Sequence, residues 1–336
     1  MKKKKIAFLL GITPNLSFAA GNVALSLNKH MKMQDYDIVI YYTELPQKDI
    51  ESFMHIPHVV LKQFNFPENF VETMLAKIPE KSRFRSLNHL MCFSHFEVFP
   101  LLAEYENVVW LDADTSIQRD LSDIVKFAPL GITPDTPWTV GDQFSHPIAG
   151  YNMDIEGHCT AVLIVNDTLP YNKIHSWLYD KAIEYADVIV NPDQAIFSIM
   201  FQEFNIIPNL MPLEEWQCIS WRNEASIARI VHFGAEKKVW NNINVCNAFP
   251  EWYRTHLEWL QLGGSDFDQT KIDPHNTLGT LDAFDKINSN QSLLQKYHKT
   301  KYYLFGFLPI WKIKASSTKI WHYLLCFIPF LKIKIK

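Results

Sequence analysis

Residues 107–121 read NVVWLDADTSIQRDL, an apolar run that stops at two carboxylates separated by one alanine. Val108, Val109, Trp110 and Leu111 follow one another without polar alternation, the pattern of a strand buried on both faces. Asp112 and Asp114 stand at its exit. If the chain stays extended across these three residues, the period of two points both carboxylates the same way. Two negative charges side by side repel, so the pair calls for a positive partner.

Working outward, strand-like runs recur at 6–10, 38–42, 58–64, 160–166 and 227–233. Between them, residues 20–31, 87–102, 171–186 and 193–204 carry apolar side chains at three-to-four spacing, as amphipathic helices require. Such alternation predicts an α/β fold with a mainly parallel sheet flanked by helices, whose ligands bind at the carboxyl ends of the strands. Asp112 and Asp114 lie at such an end. This domain is expected to span 1–262. Residues 263–300 are polar and turn-rich, and predict a linker with one short helix.

A basic, aromatic tail over 301–336 follows, with seven Lys and no Asp or Glu. It holds two 13-residue repeats, YYLFGFLPIWKIK (302–314) and HYLLCFIPFLKIK (322–334), aligned without gaps. Two copies are too few for a solenoid. The repeats predict an amphipathic, membrane-associating tail lying on an anionic surface, because their apolar stretches are too short to cross a bilayer.

At 336 residues and 48% hydrophobic, the chain can bury a sizeable core. A formal charge of −4 speaks against general nucleic-acid binding. Cys92, Cys159, Cys218, Cys246 and Cys326 form no C-x-x-C pair, which favours free thiols in a reducing compartment over a zinc cage. The opening MKKKKIAFLLGIT imitates a signal peptide, but Pro14 and Asn15 interrupt its short apolar run, and it reads as a first buried strand.

Several chemistries compete for the aspartate pair. Asp residues at a strand exit commonly bond to local backbone N–H groups. A calcium loop fails, since Ile117 and Asp123 stand where it needs Gly and Glu. No phosphate-binding glycine loop occurs. A divalent ion bridging the carboxylates to a diphosphate remains, and hard oxygen ligands suit Mn²⁺ or Mg²⁺. Two further stretches bear on it. In VNPDQAIFS (190–198), Asp193 and Gln194 open a predicted helix, where Asp193 could serve only as an N-cap. In IVHFGAEKKVW (230–240), His232 ends a strand-like run and is followed by Gly234 and Lys238.

Together these stretches resemble the motif series of glycosyltransferase family 8, the retaining nucleotide-sugar transferases, over roughly residues 1–250. VVWLDAD with RDLSDI resembles the family's metal-binding strand exit, and TAVLIVN (160–166) its buried acceptor-side strand. DQ at 193–194 resembles the acceptor-side pair, and HFGAEKKVW its H-x-x-G-x-x-K-P-W. The resemblance implies a GT-A nucleotide-diphospho-sugar transferase fold, Rossmann-like, with a mixed, mainly parallel sheet. It implies that Asp112, Asp114 and His232 ligate Mn²⁺ (Mg²⁺ being possible), that Lys238 and Gly234 serve the diphosphate, and that Gln194 lies beneath the anomeric carbon beside Asp193. The chain departs from the family in three places. Cys159, Thr160 and Ala161 replace Asn-Ala-Gly; Gly234 comes one position early and Val239 replaces proline; GITPNLSF lacks the acidic and aromatic base holders, leaving Thr13 and Asn15. Where the family's phosphate-binding Arg is expected stands His95.

The implied activity is retaining transfer of a hexose from a UDP-sugar to a glycan or glycolipid acceptor of the cell surface, lipopolysaccharide, lipooligosaccharide or capsule. Asp142 in the GDQ stretch and Thr160 are the acceptor-side candidates, and the expected place is the cytoplasm, peripheral on the inner face of the cytoplasmic membrane. A non-catalytic sugar-nucleotide binder or scaffold on the same fold is the alternative. A glycoside hydrolase fits less well, because its carboxyls stand about 5 to 9 Å apart across a sugar.

Overall fold

The computed structural model describes residues 3–80, 82, 85–234, 238–268 and, in the tail, 298–304, 308–315, 319–324 and 328–334. In chain order the elements begin β1 (Lys4–Ile12), α1 (Ser17–His30), β2 (Tyr36–Tyr42), α2 (Gln47–Met54), β3 (Val59–Gln63), α3 (Phe70–Lys77), α4 (Leu87–Leu90), β4 (Tyr105–Leu111) and β5 (Thr115–Ile117). They continue with β6 (Leu130–Thr139), β7 (Glu156–Asn166), α5 (Tyr171–Glu184), α6 (Pro192–Glu203), β8 (Asn209–Leu210), α7 (Leu213–Trp216), β9 (Cys218–Ile219), β10 (Ile230–His232), α8 (Ile243–Ala248) and α9 (Pro250–Gln261). The tail adds β11 (His298–Leu304), β12 (Leu308–Ala315), β13 (Lys319–Leu324) and β14 (Ile328–Lys334).

One sheet runs β3-β2-β1-β4-β7-β6-β8. Its pairs are parallel at β3/β2, β2/β1, β1/β4 and β6/β8, and antiparallel at β4/β7 and β7/β6. The expected mixed, mainly parallel α/β sheet is therefore present. Every other residue of the central strands faces one core: Ala7 and Leu9, Val108 and Trp110, Leu163 and Val165 meet Phe93, Phe96, Phe197 and Met200. A smaller sheet, β5-β10-β9, stands at the exit of β4.

α1 and α9 meet closely. A Cβ at Gly21 would come 2.4 Å from the Trp259 indole, and one at Gly264 only 2.0 Å, so both positions need glycine for the ring to fit. The chain beyond Leu262 is packed as well. Ser265 N–H donates to the buried Asp49 (2.6 Å), Trp259 Nε1 donates to Ser265 O (2.8 Å), and His256 Nε2 lies 2.8 Å from Asp266 Oδ1. The packed unit thus runs past residue 262, where the linker was expected to begin; most of that linker, 269–297, lies outside the described residues.

Two elements differ from expectation for identifiable reasons. Residues 87–102 form a single α-turn followed by 3₁₀ stretches, Met91–Val98 and Pro100–Ala103, instead of one amphipathic helix. Ser94 Oγ donates to Met91 O (2.7 Å) and His95 Nδ1 sits on Cys92 O (2.6 Å), so side chains occupy carbonyls that α-helical N–H groups would use, and Pro100 has no N–H to give. β6 was not foreseen because LGITPDTPWT holds two prolines. It tolerates them because its pairing with β7 breaks between Ile132 and Thr133 and again between Pro134 and Thr139.

The chain divides into two compact units, 1–238 with 254–271, and 239–253 with 272–336. In the tail, β11 to β14 pair antiparallel in sequence order. Each sequence repeat falls on one hairpin, and the register shifts at equivalent places, Tyr302/Tyr303 and His322/Tyr323. No helix among the described residues is long and apolar enough to cross a membrane.

Candidate active site

The aspartate pair is not extended as its spacing suggested. Asp112 N–H donates to Ala161 O (3.0 Å), and Thr115 returns both its N–H (3.1 Å) and its Oγ (2.8 Å) to Asp112 O, which closes a turn. Both carboxylates still converge, because pairing within the smaller sheet brings a partner to them. β5 and β10 run antiparallel with His232 opposite Thr115, and Phe233 N–H donates to Asp114 O (2.9 Å). His232 Nε2 is thereby held 3.3 Å from Asp114 Oδ1 and 3.9 Å from Asp112 Oδ2. The Lys238 ammonium pairs with Asp114 Oδ2.

His95 occupies the other side of Asp112. Its ring stacks on Trp110 with centroids 3.7 Å apart, and Nε2 lies 3.2 Å from Asp112 Oδ1 and 3.6 Å from Asp193 Oδ2. Nδ1, facing a carbonyl, is placed to donate, and the two carboxylates near Nε2 favour the imidazolium form. Trp110 Nε1 also donates to Asp112 Oδ1 (2.7 Å), and Thr160 Oγ donates to Asp193 Oδ2 (2.6 Å). Asp112, His95, Asp193 and Thr160 thus form one chain of contacts from β4 to the first turn of α6.

Charge, not solvation, governs this corner. Burial alone would raise the Asp112 carboxyl, but the hydrogen bond and charge of His95 hold it below its ordinary value. Burial would likewise raise Asp114, and His232 and Lys238 overcome that to hold it well below the carboxylate range. Both imidazoles are pulled the other way. Burial would lower His95 and His232, yet the Asp193 and Asp112 carboxylates raise the first, and Asp114 with Asp112 raises the second.

At the α6 corner, Pro192 takes the first helical position and Asp193 and Gln194 follow in the first turn. Gln194 Nε2 donates to Asp135 Oδ2 at 2.5 Å. Asp135 lies on β6 and was not among the residues expected at the site; an acidic residue between two prolines carried no signal of a strand. Cys159 accepts from Gln217 Nε2 (2.8 Å), whose Oε1 in turn accepts from Thr133 Oγ (2.5 Å). Of the remaining candidates, Thr13 is buried at the end of β1 with its hydroxyl on Asn15 Oδ1 (2.6 Å), and Gly234 lies against the His232 ring. Asp142 caps a turn. Its Oδ2 accepts from Thr139 N–H (2.7 Å) and Oγ (2.8 Å), a capping box on an exposed turn.

Asp112, Asp114 and His232 offer ligand atoms that all lie within 4.8 Å of one another. Two carboxylates and an imidazole suit a hard divalent ion of the Mn²⁺ or Mg²⁺ kind. The surroundings fit one too. Asp112 Oδ1 is taken by Trp110 and His95, which leaves Oδ2 on the His232 side, and a Cβ at Gly234 would crowd that ring at 3.3 Å from Cε1.

Residues 8–161 match the family model described as Glycosyl transferase family 8. Over that stretch the chain is similar to glycosyl transferase family 8, and its α/β fold is GT-A-like. The galactosyltransferase LgtC, solved in complex with donor and acceptor sugar analogues, is similar over 79% of this chain and 98% of its own, at 12% identity and a TM-score of 0.53. The apo structure of the bifunctional glycosyltransferase WbbM gives 0.55 at 14% identity over 78% of this chain, which spans only 52% of WbbM. The apo form of GlyE from Streptococcus pneumoniae gives 0.50 at 14% identity, covering 80% of this chain and 66% of GlyE. No curated protein matches the chain.

Proposed function

We propose that the protein transfers a hexose from a UDP-sugar, with retention of configuration, to a sugar acceptor of a cell-surface glycolipid or polysaccharide. The observation that carries this reading is the convergence of Asp112, Asp114, His232 and Lys238 at a strand exit, one contact chain away from Gln194. Departure of a nucleoside diphosphate builds negative charge on the β-phosphate, and cations fixed where that charge develops stabilise it without reorganising. A divalent ion held by the two aspartates and His232 would supply Lewis-acid stabilisation of the diphosphate.

The side chains do the rest. Lys238, drawn onto Asp114, is placed to turn its ammonium to a phosphate oxygen. His95, between Asp112 and Asp193, adds positive charge behind the Asp112 carboxylate where the resemblance led to an arginine; both of its ring nitrogens face protein acceptors. Gln194 presents a neutral amide to the sugar. An amide is a poor covalent nucleophile compared with a carboxylate, so attack by the acceptor on the face the leaving group vacates is favoured over double displacement. The basic repeats of 301–336 suit an anionic membrane surface, which would hold the domain beside a lipid-linked acceptor on the cytoplasmic side.

UDP-sugar hydrolysis over a panel of UDP-hexoses, with Mn²⁺ and with EDTA, tests the reading. Turnover of at least one donor that EDTA abolishes and Mn²⁺ restores is expected. A protein that binds UDP-sugars yet turns none over would return the chain to a binding or scaffold role.

A further inference from the structure

We infer that Asp135 is a positioning residue that fixes the orientation of the Gln194 amide and polarises it toward the sugar, a role that rests on the transferase reading. Among the described residues, the one hydrogen bond of the Asp135 side chain is the 2.5 Å contact from Gln194 Nε2, and no cation pairs with it. Burial pushes its carboxyl above the ordinary value, and the Gln194 hydrogen bond opposes that rise. A half-buried carboxylate without a counter-ion is costly, so its presence beside the first turn of α6 asks for a reason.

The reason lies in what a carboxylate can do. Ionised, it only accepts hydrogen bonds, so it selects the NH₂ end of the amide, whereas a neutral neighbour would leave the two ends of Gln194 nearly equivalent. With Nε2 turned to Asp135, Oε1 must project the opposite way. That oxygen is the atom of Gln194 able to face positive charge building at an anomeric carbon. The bond also aligns the two groups electrostatically: a negative charge behind the amide nitrogen draws its dipole outward and enriches Oε1 in electron density. Asp135 reaches this place through the broken stretch of β6, where Pro134 pairs with His158 before the ladder lapses up to Thr139. Regular pairing through this stretch would impose the alternation of successive side chains between the faces of the sheet.

Asp135→Asn keeps the shape and removes the selection, while Asp135→Ala removes the contact. Both are expected to lower kcat on the hydrolysed or transferred UDP-hexose, about tenfold and about fiftyfold, with donor KM within about twofold of wild type. In a Gln194→Ala background neither substitution should lower kcat further, since a residue acting through another has nothing left to act on. In the metal-free protein, the Gln194 side-chain amide protons should lie downfield in the ¹⁵N–¹H spectrum and move on Asp135→Asn, with the melting temperature unchanged within a few degrees. Losses that multiply in the double variant, or an amide signal that ignores Asp135→Asn, overturn the positioning role. Wild-type protein that turns over no UDP-hexose at all overturns the transferase reading, and the role of Asp135 with it.

Discussion

The two ends of the site are built on opposite electrostatic plans. At the β4 exit every carboxylate has a cation against it: Asp112 has His95, and Asp114 has His232 and Lys238. At the first turn of α6, among the described residues, the hydrogen-bond partner of Asp135 is an amide, and Asp193 shares His95 and takes a threonine hydroxyl. Under the proposed transfer, the first corner would face a group more negative than itself and the second a carbon that becomes positive. A reaction that separates a diphosphate from a sugar needs that polarity in that order.

The comparison breaks most visibly at Asp114. Asp114→Asn should reduce metal-dependent turnover by on the order of a thousandfold, because it removes a ligand and releases Lys238 from its carboxylate. It should also destabilise the metal-free protein. The spacing alone suggests relief of repulsion between two aspartates, but in the fold Asp114 neutralises a buried imidazole and an ammonium, and stranding them costs about 1–3 kcal/mol. Retained turnover, or a raised melting temperature in the metal-free variant, would contradict this account. Gln194→Ala comes next, with kcat down about a hundredfold and UDP affinity unchanged in calorimetry. A loss of UDP affinity would place Gln194 at the nucleotide and erase the distinction between the corners.

The pH response sharpens the same contrast. His95 and His232 have raised values, so the stability they give the metal-free protein is complete below their ordinary 6.5 and is lost as pH rises through the raised values. Asp112 and Asp114 have lowered values, so theirs is present above 3.8 and is lost as pH falls through the lowered ones. The EDTA-treated protein should therefore melt highest in the mildly acidic range and lose stability toward pH 9. Mn²⁺ should restore it at high pH only, since a ligating imidazole must be unprotonated and affinity falls about tenfold per unit below the His232 value. A melting temperature that climbs steadily from pH 6 to 9 without metal would show that these imidazoles are not held charged.

What was legible in the sequence follows the same division. The β4 corner rests on uninterrupted apolar runs, β1, β2, β4 and β7, and on side chains at their exits, so periodicity and the D-x-D spacing lead to it. Even there the geometry was hidden, because convergence comes from β5 and β10, three residues each and paired across more than a hundred positions. The α6 corner depends on β6, whose prolines disguise it, and on register breaks that no local pattern encodes. Gln194 could be singled out by the resemblance of DQ at 193–194 to the family's acceptor-side pair, but Asp135 had no such signal. Asp142, singled out from GDQ, shows the converse: the same acid-then-amide pattern proved to be a capping box.

Cys159 marks the smallest expected effect, and it tests whether the α6 corner is as dry as its pairings imply. The thiol stands on β7 next to Thr160, near both Asp135 and Asp112, and burial pushes it up to about 12, with those carboxylates adding to the rise. Its sulfur accepts from Gln217 Nε2, an amide pinned from the other end by Thr133. At pH 8 almost none of it is thiolate, and the thiolate is the reactive form, so iodoacetamide should label Cys159 at least a hundredfold more slowly than a free thiol with a value near 8.5. Cys159→Ser keeps an acceptor for Gln217 and should change kcat by less than about threefold, whereas Cys159→Val strands a buried amide hydrogen and should cost about 1–3 kcal/mol of stability. Rapid labelling of Cys159 in the folded protein, followed by peptide mapping, would mean that water and base reach this strand freely. The carboxylate of Asp135 would then be solvated as well, and the contrast between the two corners would weaken at its quieter end.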